Sequence, residues 1–356
     1  MFYNYKGQRY QITIEKIYIE LTTACNAKCP YCYNPMELCS KNIDASKLEK
    51  FLDDILNQGI RTIHLSGGEP LLHPNYMSFV DRINENGGKV LTVSNGFLIT
   101  EEHLNTYMKQ NMLQLTIDSM VELEHDRTRG NGNYKKVMEI IEYCRKNGHI
   151  QNIYLRHNVI RGNENDRRKF VEFALEKGIS KVSMSVLRNM GRAKENSFML
   201  YDYKDNLQEI LCVNADMASL RKEYESKIEI NSNRFENQKG CPYNRPGEYY
   251  MSPRIDCYGN LYICESFDGK DNIVGNVFEN SLEEIFASKH FEEYMKVLFT
   301  RQENMKGCKK CLLNKLCTGG CPADQYAECG NYLHCTSQCA MIKENFKNEL
   351  LKQRIL

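Results

Sequence analysis

Short apolar runs rich in β-branched residues alternate with longer amphipathic stretches through the first half of the chain. The short runs predict six strands, at residues 17–21, 62–66, 89–94, 113–118, 153–160 and 181–187. A stretch with helical periodicity follows each of them. This alternation is typical of parallel βαβ units with right-handed crossovers. Six units predict an α/β fold, an open and partial (β/α)6 barrel whose reactive groups gather at the C-terminal ends of the strands.

The first helical stretch shows how the pattern defines one element. Asp44 occupies the predicted N-cap position, and Gly59 supplies the left-handed residue that ends the helix. The apolar residues between them recur at i, i+3, i+4, i+7 and i+8; they are Leu48, Phe51, Leu52, Ile55 and Leu56. We therefore expect one apolar stripe, packed on the sheet.

The composition changes along the chain and predicts separate regions. Ten of the sixteen cysteines lie between Cys241 and Cys339, which indicates a second, cysteine-rich domain. Cys144 and Cys212 fall within helical patterns and are predicted to be small core residues. The predicted regions are an N-terminal lead (1–16), the barrel (17–200), a polar helical bridge (201–240), the cysteine-rich domain (241–345) and a C-terminal helical tail (346–356).

Charge and export signals limit the classes of partner. Forty-seven Lys and Arg residues nearly balance forty-six Asp and Glu residues, so we expect neither nucleic acid nor an anionic membrane as a partner. The N-terminal residues contain no apolar signal segment, and no apolar run is long enough to span a bilayer, which predicts a cytoplasmic protein. In that compartment sixteen cysteines indicate thiolates that bind metal rather than disulfides.

A C-x-x-x-C-x-x-C motif, formed by Cys25, Cys29 and Cys32, follows the first predicted strand. Three thiolates on one loop can hold three irons of a [4Fe–4S] cluster and leave the fourth iron without a protein ligand. The alternative is a zinc knuckle, which needs a fourth ligand, and Cys39 is the nearby candidate.

This spacing, with the aromatic Tyr31 directly before the third cysteine, resembles the signature of the radical S-adenosylmethionine (SAM) superfamily. The resemblance implies that the amino and carboxylate groups of SAM chelate the open iron. It also implies that one electron from the reduced cluster breaks the C5′–S bond of SAM. The resulting 5′-deoxyadenosyl radical then takes a hydrogen atom from the substrate, while the protein binds, orients and excludes water.

Segments after the next three strands resemble further motifs of that superfamily. Gly67, Gly68 and Glu69 resemble the GGEP motif, which contacts the methionine amine of SAM. The resemblance also implies SAM contacts at the ends of strands 3 and 4, namely Ser94, Asn95, Thr116 and Asp118.

Two arginine-containing segments have weaker parallels. Arg129 resembles the arginine that pairs with the SAM carboxylate, a bidentate role suited to a guanidinium; the alternative is a solvated arginine. Gly191, Arg192 and Ala193 resemble a recurring element of the superfamily to which we assign no role, and a simple turn after the last strand explains the glycine equally well.

The cysteine-rich region resembles the SPASM domain, an extension that carries two auxiliary [4Fe–4S] clusters. The matching residues are Cys241, Gly259, Cys264, Cys308, Cys311, Cys317, Cys321 and Cys339. The resemblance implies that auxiliary cluster II is bound by Cys308, Cys311, Cys317 and Cys339. It assigns Cys241, Cys264 and Cys321 to auxiliary cluster I.

Three points stay open in this domain. Cys257 is the expected fourth ligand of cluster I, unless that position is open to substrate. Cys335 competes with Cys339 as the last ligand of cluster II. A zinc ribbon is the alternative for the run from Cys308 to Cys321.

Most radical SAM enzymes with a SPASM domain modify peptides and proteins, so the resemblance implies a peptide maturase that forms a thioether or carbon–carbon cross-link in a ribosomally synthesised peptide. The alternative is an enzyme of the anaerobic sulfatase-maturating type, which makes formylglycine and in which Glu265, directly after Cys264, accepts a proton. Glu265 as a solvated loop acid, and radical chemistry on a small molecule, are further alternatives. A non-enzymatic electron carrier would not need Gly67, Gly68 and Glu69.

The implied partners follow from this reading. They are a peptide or protein substrate and an electron donor of the flavodoxin or ferredoxin type. About sixteen residues precede the first strand, so we expect no appended domain for leader-peptide recognition. Recognition of the peptide is then either direct or delegated to a separate leader-peptide-binding protein.

Overall fold

The computed structural model describes residues 1–34, 40–108, 110–201, 207–232, 241–317 and 319–352. Its strands, in chain order, are β1 (Phe2–Tyr5), β2 (Gln8–Ile14), β3 (Ile17–Glu20), β4 (Thr62–Ser66), β5 (Lys89–Val93), β6 (Met112–Thr116), β7 (Ile153–Val159), β8 (Lys181–Val186), β9 (Glu229–Ser232), β10 (Tyr249–Met251), β11 (Arg254–Ile255), β12 (Asn260–Tyr262) and β13 (Gly275–Asn276).

The helices occupy the intervals between strands and much of the C-terminal region. They are α1 (Ala45–Asn57), α2 (Tyr76–Glu85), α3 (Glu101–Tyr107), α4 (Glu122–Arg129), α5 (Asn133–Lys146), α6 (Asp166–Lys177), α7 (Leu207–Tyr224), α8 (Leu282–Ala287), α9 (Lys289–Asn304), α10 (Pro322–Cys329) and α11 (Cys339–Lys352). Among these described helices, none combines the length and apolarity needed to cross a bilayer.

The central part of the main sheet is the predicted partial barrel. Strands β3 to β8 pair in chain order and each pair is parallel. The six predicted strands are confirmed, with boundaries that differ by two residues or fewer. Helix α1 is also as predicted: the Asp44 carboxylate accepts a hydrogen bond from the Lys47 amide at 3.0 Å, and the five residues of the apolar stripe are buried.

The sheet continues beyond the predicted barrel on both sides. On one side β9 pairs in parallel with β8. This strand lies in the region predicted to be a helical bridge, and it escaped prediction because its four residues, Glu229–Ser232, are mostly polar. On the other side β11, β12 and β13 extend the sheet from β3. The sheet of the described chain therefore runs without a break from the barrel into the cysteine-rich region.

The N-terminal residues form a hairpin that packs on the cysteine-rich region. Strands β1 and β2 are antiparallel, and β2 pairs in parallel with β10. The Tyr3 hydroxyl donates to the Gly247 carbonyl at 2.9 Å, and the Tyr3 ring stacks on Tyr249 with 5.5 Å between centroids. The predicted lead is thus an ordered part of the C-terminal half.

A buried ion pair accompanies the parallel pairing of β11 with β3. The Arg254 guanidinium lies 2.9 Å from the Glu20 carboxylate, and both side chains are almost fully shielded from solvent. Arg254 also donates to the Phe267 carbonyl at 2.7 Å and lies 4.1 Å above the Tyr262 ring. One side chain therefore ties the first barrel strand to the loop that follows β12.

The two cysteines predicted to lie in helical core positions differ. Cys144 on α5 is buried, as predicted. Cys212 on α7 is exposed, so that prediction is wrong. The buried stripe of α7 is formed by Ile210, Val213, Asn214, Met217, Leu220 and Tyr224, and Cys212 lies outside it.

We expect Arg254→Met to lower the free energy of unfolding by about 3 kcal/mol or more, because it leaves the Glu20 carboxylate buried without its cation. Adding Glu20→Gln should recover part of this loss, since no buried charge then remains. Urea unfolding followed by circular dichroism measures both effects. The control Arg168→Met breaks the exposed Arg168–Glu223 pair and should change stability little. Equal losses in the single and double variants would contradict this account.

Candidate active site

Three thiols lie on the loop that follows β3. Cys25 is exposed, Cys29 is buried and Cys32 is partly buried. The Ala27 amide donates to the Cys25 sulfur at 3.4 Å. Burial raises the pKa of the Cys25 and Cys29 thiols, and the Cys32 thiol nearby raises both further. The three thiols are therefore close neighbours, and iron that binds them must displace protons.

The loop after β4 packs directly on this cysteine loop. The Gly68 amide donates to the Thr22 carbonyl at 2.7 Å, and the Glu69 amide donates to the Ala24 carbonyl at 2.8 Å. A Cβ atom at position 68 would lie 2.0 Å from the Ala24 oxygen, and Gly67 has a φ of +123°. The two glycines are therefore required for contact between the two backbones, in addition to the role that the resemblance implies.

The Glu69 carboxylate organises the ends of β4 and β5. It is buried and accepts hydrogen bonds from the Ser94 hydroxyl at 2.9 Å and from the Asn95 amide at 2.8 Å. The Asn95 side chain donates to Asn26 at 2.7 Å and to the Cys25 sulfur at 3.8 Å. Burial raises the pKa of Glu69, and these hydrogen bonds oppose the shift. Glu69, Ser94 and Asn95 thus form one group beside the cysteine loop.

A second polar group joins the cysteine loop to β6 and α4. The Tyr31 hydroxyl donates to the Asp118 carboxylate, and Arg129 donates to Tyr31 at 3.4 Å. Burial by itself would raise the pKa of Asp118, but the Arg129 charge and the hydrogen bonds outweigh it, so this pKa is lowered. The Arg129 Nε atom is buried, and the described residues provide no acceptor for it. That remaining donor fits a carboxylate on a bound ligand.

Residues that the sequence analysis missed complete this group. The Asn158 amide donates to Asp118 at 2.9 Å, and the Asn133 amide donates to the Asn95 carbonyl at 2.8 Å. Asn158 interrupts the buried strand β7, and a polar residue at the C-terminal end of a barrel strand was the signal that could have identified it. Thr116, a predicted SAM contact, is buried two residues before Asp118.

The segment after β8 covers the cysteine loop from the other side. The Arg192 amide donates to the Cys32 carbonyl at 2.9 Å. A Cβ atom at Gly191 would lie 2.4 Å from the same carbonyl oxygen. The Gly191–Arg192–Ala193 segment, to which the sequence analysis assigned no role, is therefore a backbone contact of the cysteine loop. Cys39, the fourth ligand in the zinc alternative, lies outside the described residues.

Five thiols line one cavity of about 200 Å³ in the C-terminal region; they are Cys308, Cys311, Cys317, Cys335 and Cys339. The Cys308 and Cys335 sulfurs are 3.5 Å apart. Burial and this neighbour raise the pKa of Cys308 to about 12. The donor set fits an iron–sulfur cluster, and because Cys335 and Cys339 both line the cavity, both remain candidates for the last ligand.

Three other thiols lie near two buried side chains of α9. Burial raises the pKa of Tyr294, and Tyr332, Cys264 and Cys241 raise it further. Burial lowers the pKa of Arg301, and Cys241 and Cys321 oppose that shift. Cys241, Cys264 and Cys321, the predicted ligands of auxiliary cluster I, therefore lie in one region.

Cys257 lies elsewhere. It occupies the turn between β11 and β12, whereas Cys264 lies two residues beyond the other end of β12. The five residue steps from Gly259 to Cys264 span roughly 16 Å at the rise of a β-strand. The hairpin therefore separates Cys257 from Cys264, although Cys257 was expected to share a cluster with it.

Glu265 meets the first barrel strand. The Tyr18 hydroxyl faces the Glu265 carboxylate. Burial raises the pKa of Tyr18, and Glu265 and the Cys264 thiol raise it further. The His64 ring packs edge-on against Tyr18, with 4.4 Å between centroids. Burial and Lys16 lower the pKa of His64 to about 4, so this imidazole is neutral at pH 7. An acid, a phenol and a neutral imidazole thus lie together, and the acid directly follows Cys264.

Two families match the chain. Residues 19–174 match the radical SAM superfamily. Residues 248–312 match SPASM, an iron–sulfur cluster-binding domain. The first match covers the cysteine loop and the strands from β3 to β7, and the second covers the hairpin of β11 and β12 with Cys257, Cys264, Cys308 and Cys311.

Curated relatives include two proteins of peptide biosynthesis. The antilisterial bacteriocin subtilosin biosynthesis protein AlbA of Bacillus subtilis is 25% identical over 85% of this chain, which spans 66% of that protein's length. The PqqA peptide cyclase of Bradyrhizobium diazoefficiens is 22% identical over 91% of this chain and 86% of its own length.

Among solved structures, Streptococcus suis SuiB bound to S-adenosylmethionine has the same fold. It superposes with a TM-score of 0.73 at 16% identity and covers 92% of this chain and 77% of SuiB. SuiB bound to its precursor peptide SuiA gives a TM-score of 0.71 over 92% of this chain and 76% of SuiB.

The position of Cys257 predicts different iron contents for two variants. Cys264→Ala should lose about four of about twelve irons per chain, whereas Cys257→Ala should keep all of them, because Cys257 lies at the far end of β12. Iron and sulfide analysis after anaerobic reconstitution measures this. Equal iron loss in the two variants would instead identify Cys257 as a ligand of auxiliary cluster I.

The geometry of Arg129 predicts that its planar fork matters as well as its charge. Arg129→Lys should weaken SAM binding tenfold or more, because an ammonium cannot make two parallel hydrogen bonds to a carboxylate. Anaerobic calorimetry on the reconstituted protein measures the affinity. Arg127→Lys, on an exposed side chain of the same helix, is the matched control and should bind SAM normally. Normal binding by both variants would identify Arg129 as an ordinary structural residue.

Proposed function

We propose that this chain, which belongs to the radical SAM superfamily and carries a SPASM domain, is a peptide maturase. As a member of that superfamily it binds SAM and three [4Fe–4S] clusters. Its substrate would be a ribosomally synthesised peptide, in which it forms a thioether or carbon–carbon cross-link. When bound, the first cluster and SAM supply the 5′-deoxyadenosyl radical that takes a hydrogen atom from the substrate. The chain's own residues bind, orient and shield these groups.

We assign the residues around the cysteine loop to SAM and its cluster. Cys25, Cys29 and Cys32 would hold the cluster. Arg129, kept in place by Tyr31 and Asp118, would bind the SAM carboxylate, and its buried, unshared Nε hydrogen supports this role. The remaining assigned SAM contacts are Gly67, Gly68, Glu69, Ser94, Asn95 and Thr116.

The auxiliary clusters would take two separate thiol sets. We assign Cys308, Cys311, Cys317 and Cys339 to the cavity of about 200 Å³, where Cys335 is a fifth thiol. We assign Cys241, Cys264 and Cys321 to the other cluster and leave Cys257 out. In the proposal the fourth position of this second cluster is open to substrate, which was the alternative given by the sequence.

The observation that carries the proposal is the contact between the two halves of the site at Tyr18. This residue belongs to the first barrel strand, and its hydroxyl faces Glu265, the residue directly after the auxiliary thiol Cys264. A substrate held in the barrel beside β3 would then lie near both thiol sets. Cross-linking removes a hydrogen atom, a proton and one electron from the peptide. The hydrogen atom goes to the 5′-deoxyadenosyl radical, and we propose Glu265 as the acceptor of the proton and a bound auxiliary cluster as the acceptor of the electron.

The relatives support a peptide as the substrate. AlbA is a bacteriocin biosynthesis protein and the PqqA enzyme is a peptide cyclase. SuiB, which shares the fold, has been solved with a precursor peptide.

We further propose a cytoplasmic enzyme that receives electrons from a flavodoxin or ferredoxin. Sixteen cysteines need a reducing compartment to stay available for iron. A separate leader-peptide-binding protein would complete its set of partners.

A second candidate function is formylglycine formation on a sulfatase. Glu265, directly after Cys264 and in contact with Tyr18, favours it, since oxidation of a cysteine or serine side chain to an aldehyde also needs a proton acceptor. The two functions differ in product mass. A cross-link removes two hydrogens from the peptide, whereas conversion of cysteine to formylglycine removes two hydrogens and also replaces sulfur by oxygen.

The first experiment tests SAM cleavage. The reconstituted chain, given dithionite and SAM without oxygen, should release 5′-deoxyadenosine, measured by liquid chromatography. The triple variant Cys25→Ala, Cys29→Ala, Cys32→Ala should release none and keep about eight of about twelve irons, because both auxiliary sets remain. Cys212→Ala, at an exposed thiol outside both sets, is the matched control and should behave like the parent.

The second experiment identifies the substrate. The peptide encoded beside the gene and a cysteine-containing sulfatase peptide are each incubated with enzyme, SAM and reductant, and their masses are measured. Loss of two hydrogens from the neighbouring peptide supports the maturase. Formylglycine in the sulfatase peptide, with no change in the neighbouring peptide, would replace it by the second candidate.

A further inference from the structure

Arg301 is a fully buried cation in the cysteine-rich region. It lies near the C-terminal end of α9, and 1% of its surface is exposed to solvent. A guanidinium keeps its charge inside a protein, and burying a charge is costly unless hydrogen bonds and opposite charge surround it. The groups that surround the Arg301 guanidinium therefore indicate the role of its charge.

The guanidinium is bonded to the peptide link between the two auxiliary thiol sets. It donates to the Gly319 carbonyl at 3.0 Å and also to the Gly320 carbonyl. These two glycines lie between Cys317, assigned to one cluster, and Cys321, assigned to the other. Arg301 thus fixes the short segment through which the two sets are joined.

The link is shaped to fit this side chain. Gly319 has a φ of +82°, and a Cβ atom there would lie 3.4 Å from an Arg301 Nη atom and 2.9 Å from the Met305 methyl. Glycine at this position therefore permits both the left-handed backbone and the close approach of the guanidinium. A second contact joins Arg301 to the segment after Cys241, since the Asn244 side-chain oxygen accepts from it at 2.8 Å.

The same guanidinium is within electrostatic range of thiols from both sets. Cys241 and Cys321, assigned to cluster I, and Cys308, assigned to cluster II, all favour its charged form. Cysteine binds iron as the thiolate, so loading both clusters places negative charge on both sides of Arg301. The hydrogen bonds orient the cation, and the thiolates supply the opposite charge.

We propose that Arg301 is a positioning residue shared by the two auxiliary cluster sites, which holds the Gly319–Gly320 link in shape and raises the reduction potential of both clusters through its positive charge. A nearby cation favours the reduced, more negative state of an iron–sulfur cluster. One side chain would thereby set the two potentials together. The inference rests on the auxiliary clusters and is independent of the substrate.

The test is a redox titration followed by electron paramagnetic resonance. It uses the full chain with Cys25→Ala, Cys29→Ala and Cys32→Ala, so that only auxiliary clusters contribute. Adding Arg301→Gln removes the charge and keeps a polar side chain. At a fixed potential the ratio of reduced to oxidised cluster should fall at least tenfold for both clusters, which corresponds to about 59 mV for a one-electron couple.

Two controls separate charge from shape. Arg301→Lys keeps the charge and loses the planar fork, so both ratios should stay within about threefold of the parent. Lys296→Gln removes a charge from an exposed position on the same helix and should change them less than twofold. The proposal would be overturned if Arg301→Gln, with full auxiliary iron, left the ratio of reduced to oxidised cluster unchanged. It would also be overturned if Arg301→Lys lowered that ratio as much as Arg301→Gln does.

Iron content decides the remaining case. If Arg301→Gln fails to load auxiliary iron and Arg301→Lys loads it fully, the charge itself is required, which supports the proposal. If neither variant loads iron, the guanidinium acts through its shape alone and the proposal is overturned. Cleavage of SAM by the chain with an intact cysteine loop, measured in parallel, reports separately on the proposed function.

Discussion

The parallel pairing of β11 with β3 is the constraint on which the site depends. It makes the cysteine-rich region a continuation of the barrel sheet, so the loop after β12 lies beside Tyr18. The Glu20–Arg254 ion pair strengthens this junction from within the protein. Without the β11–β3 pairing, the two regions would each contain thiols, but the sheet would not connect the cysteine loop to Glu265.

Three arginines with shielded guanidinium groups lie where an almost neutral chain is expected to bind charged groups. Arg129 lies beside Asp118 with one donor unshared, Arg254 faces Glu20, and Arg301 lies among thiols. The described residues provide no acceptor for the Arg129 Nε atom, and the thiols around Arg301 carry negative charge only when they are deprotonated. The ligand or the cluster completes the environment, so loading and local stability are coupled.

Much of this could be predicted from the sequence because the signals were local. Strand periodicity, the Asp44 cap and the cysteine spacings each lie within a few residues, and tertiary packing did not override them. The exclusion of Cys257 depends on which end of β12 it occupies, and the role of Gly191 depends on a carbonyl more than one hundred residues away. Such relations exist only after the chain has folded, so no motif records them. Asn158 is a different case, since its polar position at the C-terminal end of β7 was a sequence signal that could have identified it.

The hairpin of β1 and β2 has a consequence for the order of folding. Its parallel partner is β10, and the bond between Tyr3 and Gly247 joins residues 244 positions apart. During synthesis the hairpin cannot pair with β10 until most of the chain has left the ribosome. The barrel lies between the hairpin and β10 in sequence, and its strands pair with the strands next to them in the chain, so it can form earlier. Docking of the hairpin is therefore a late event. It joins the N-terminal strands to β10 only after the barrel strands have been able to pair.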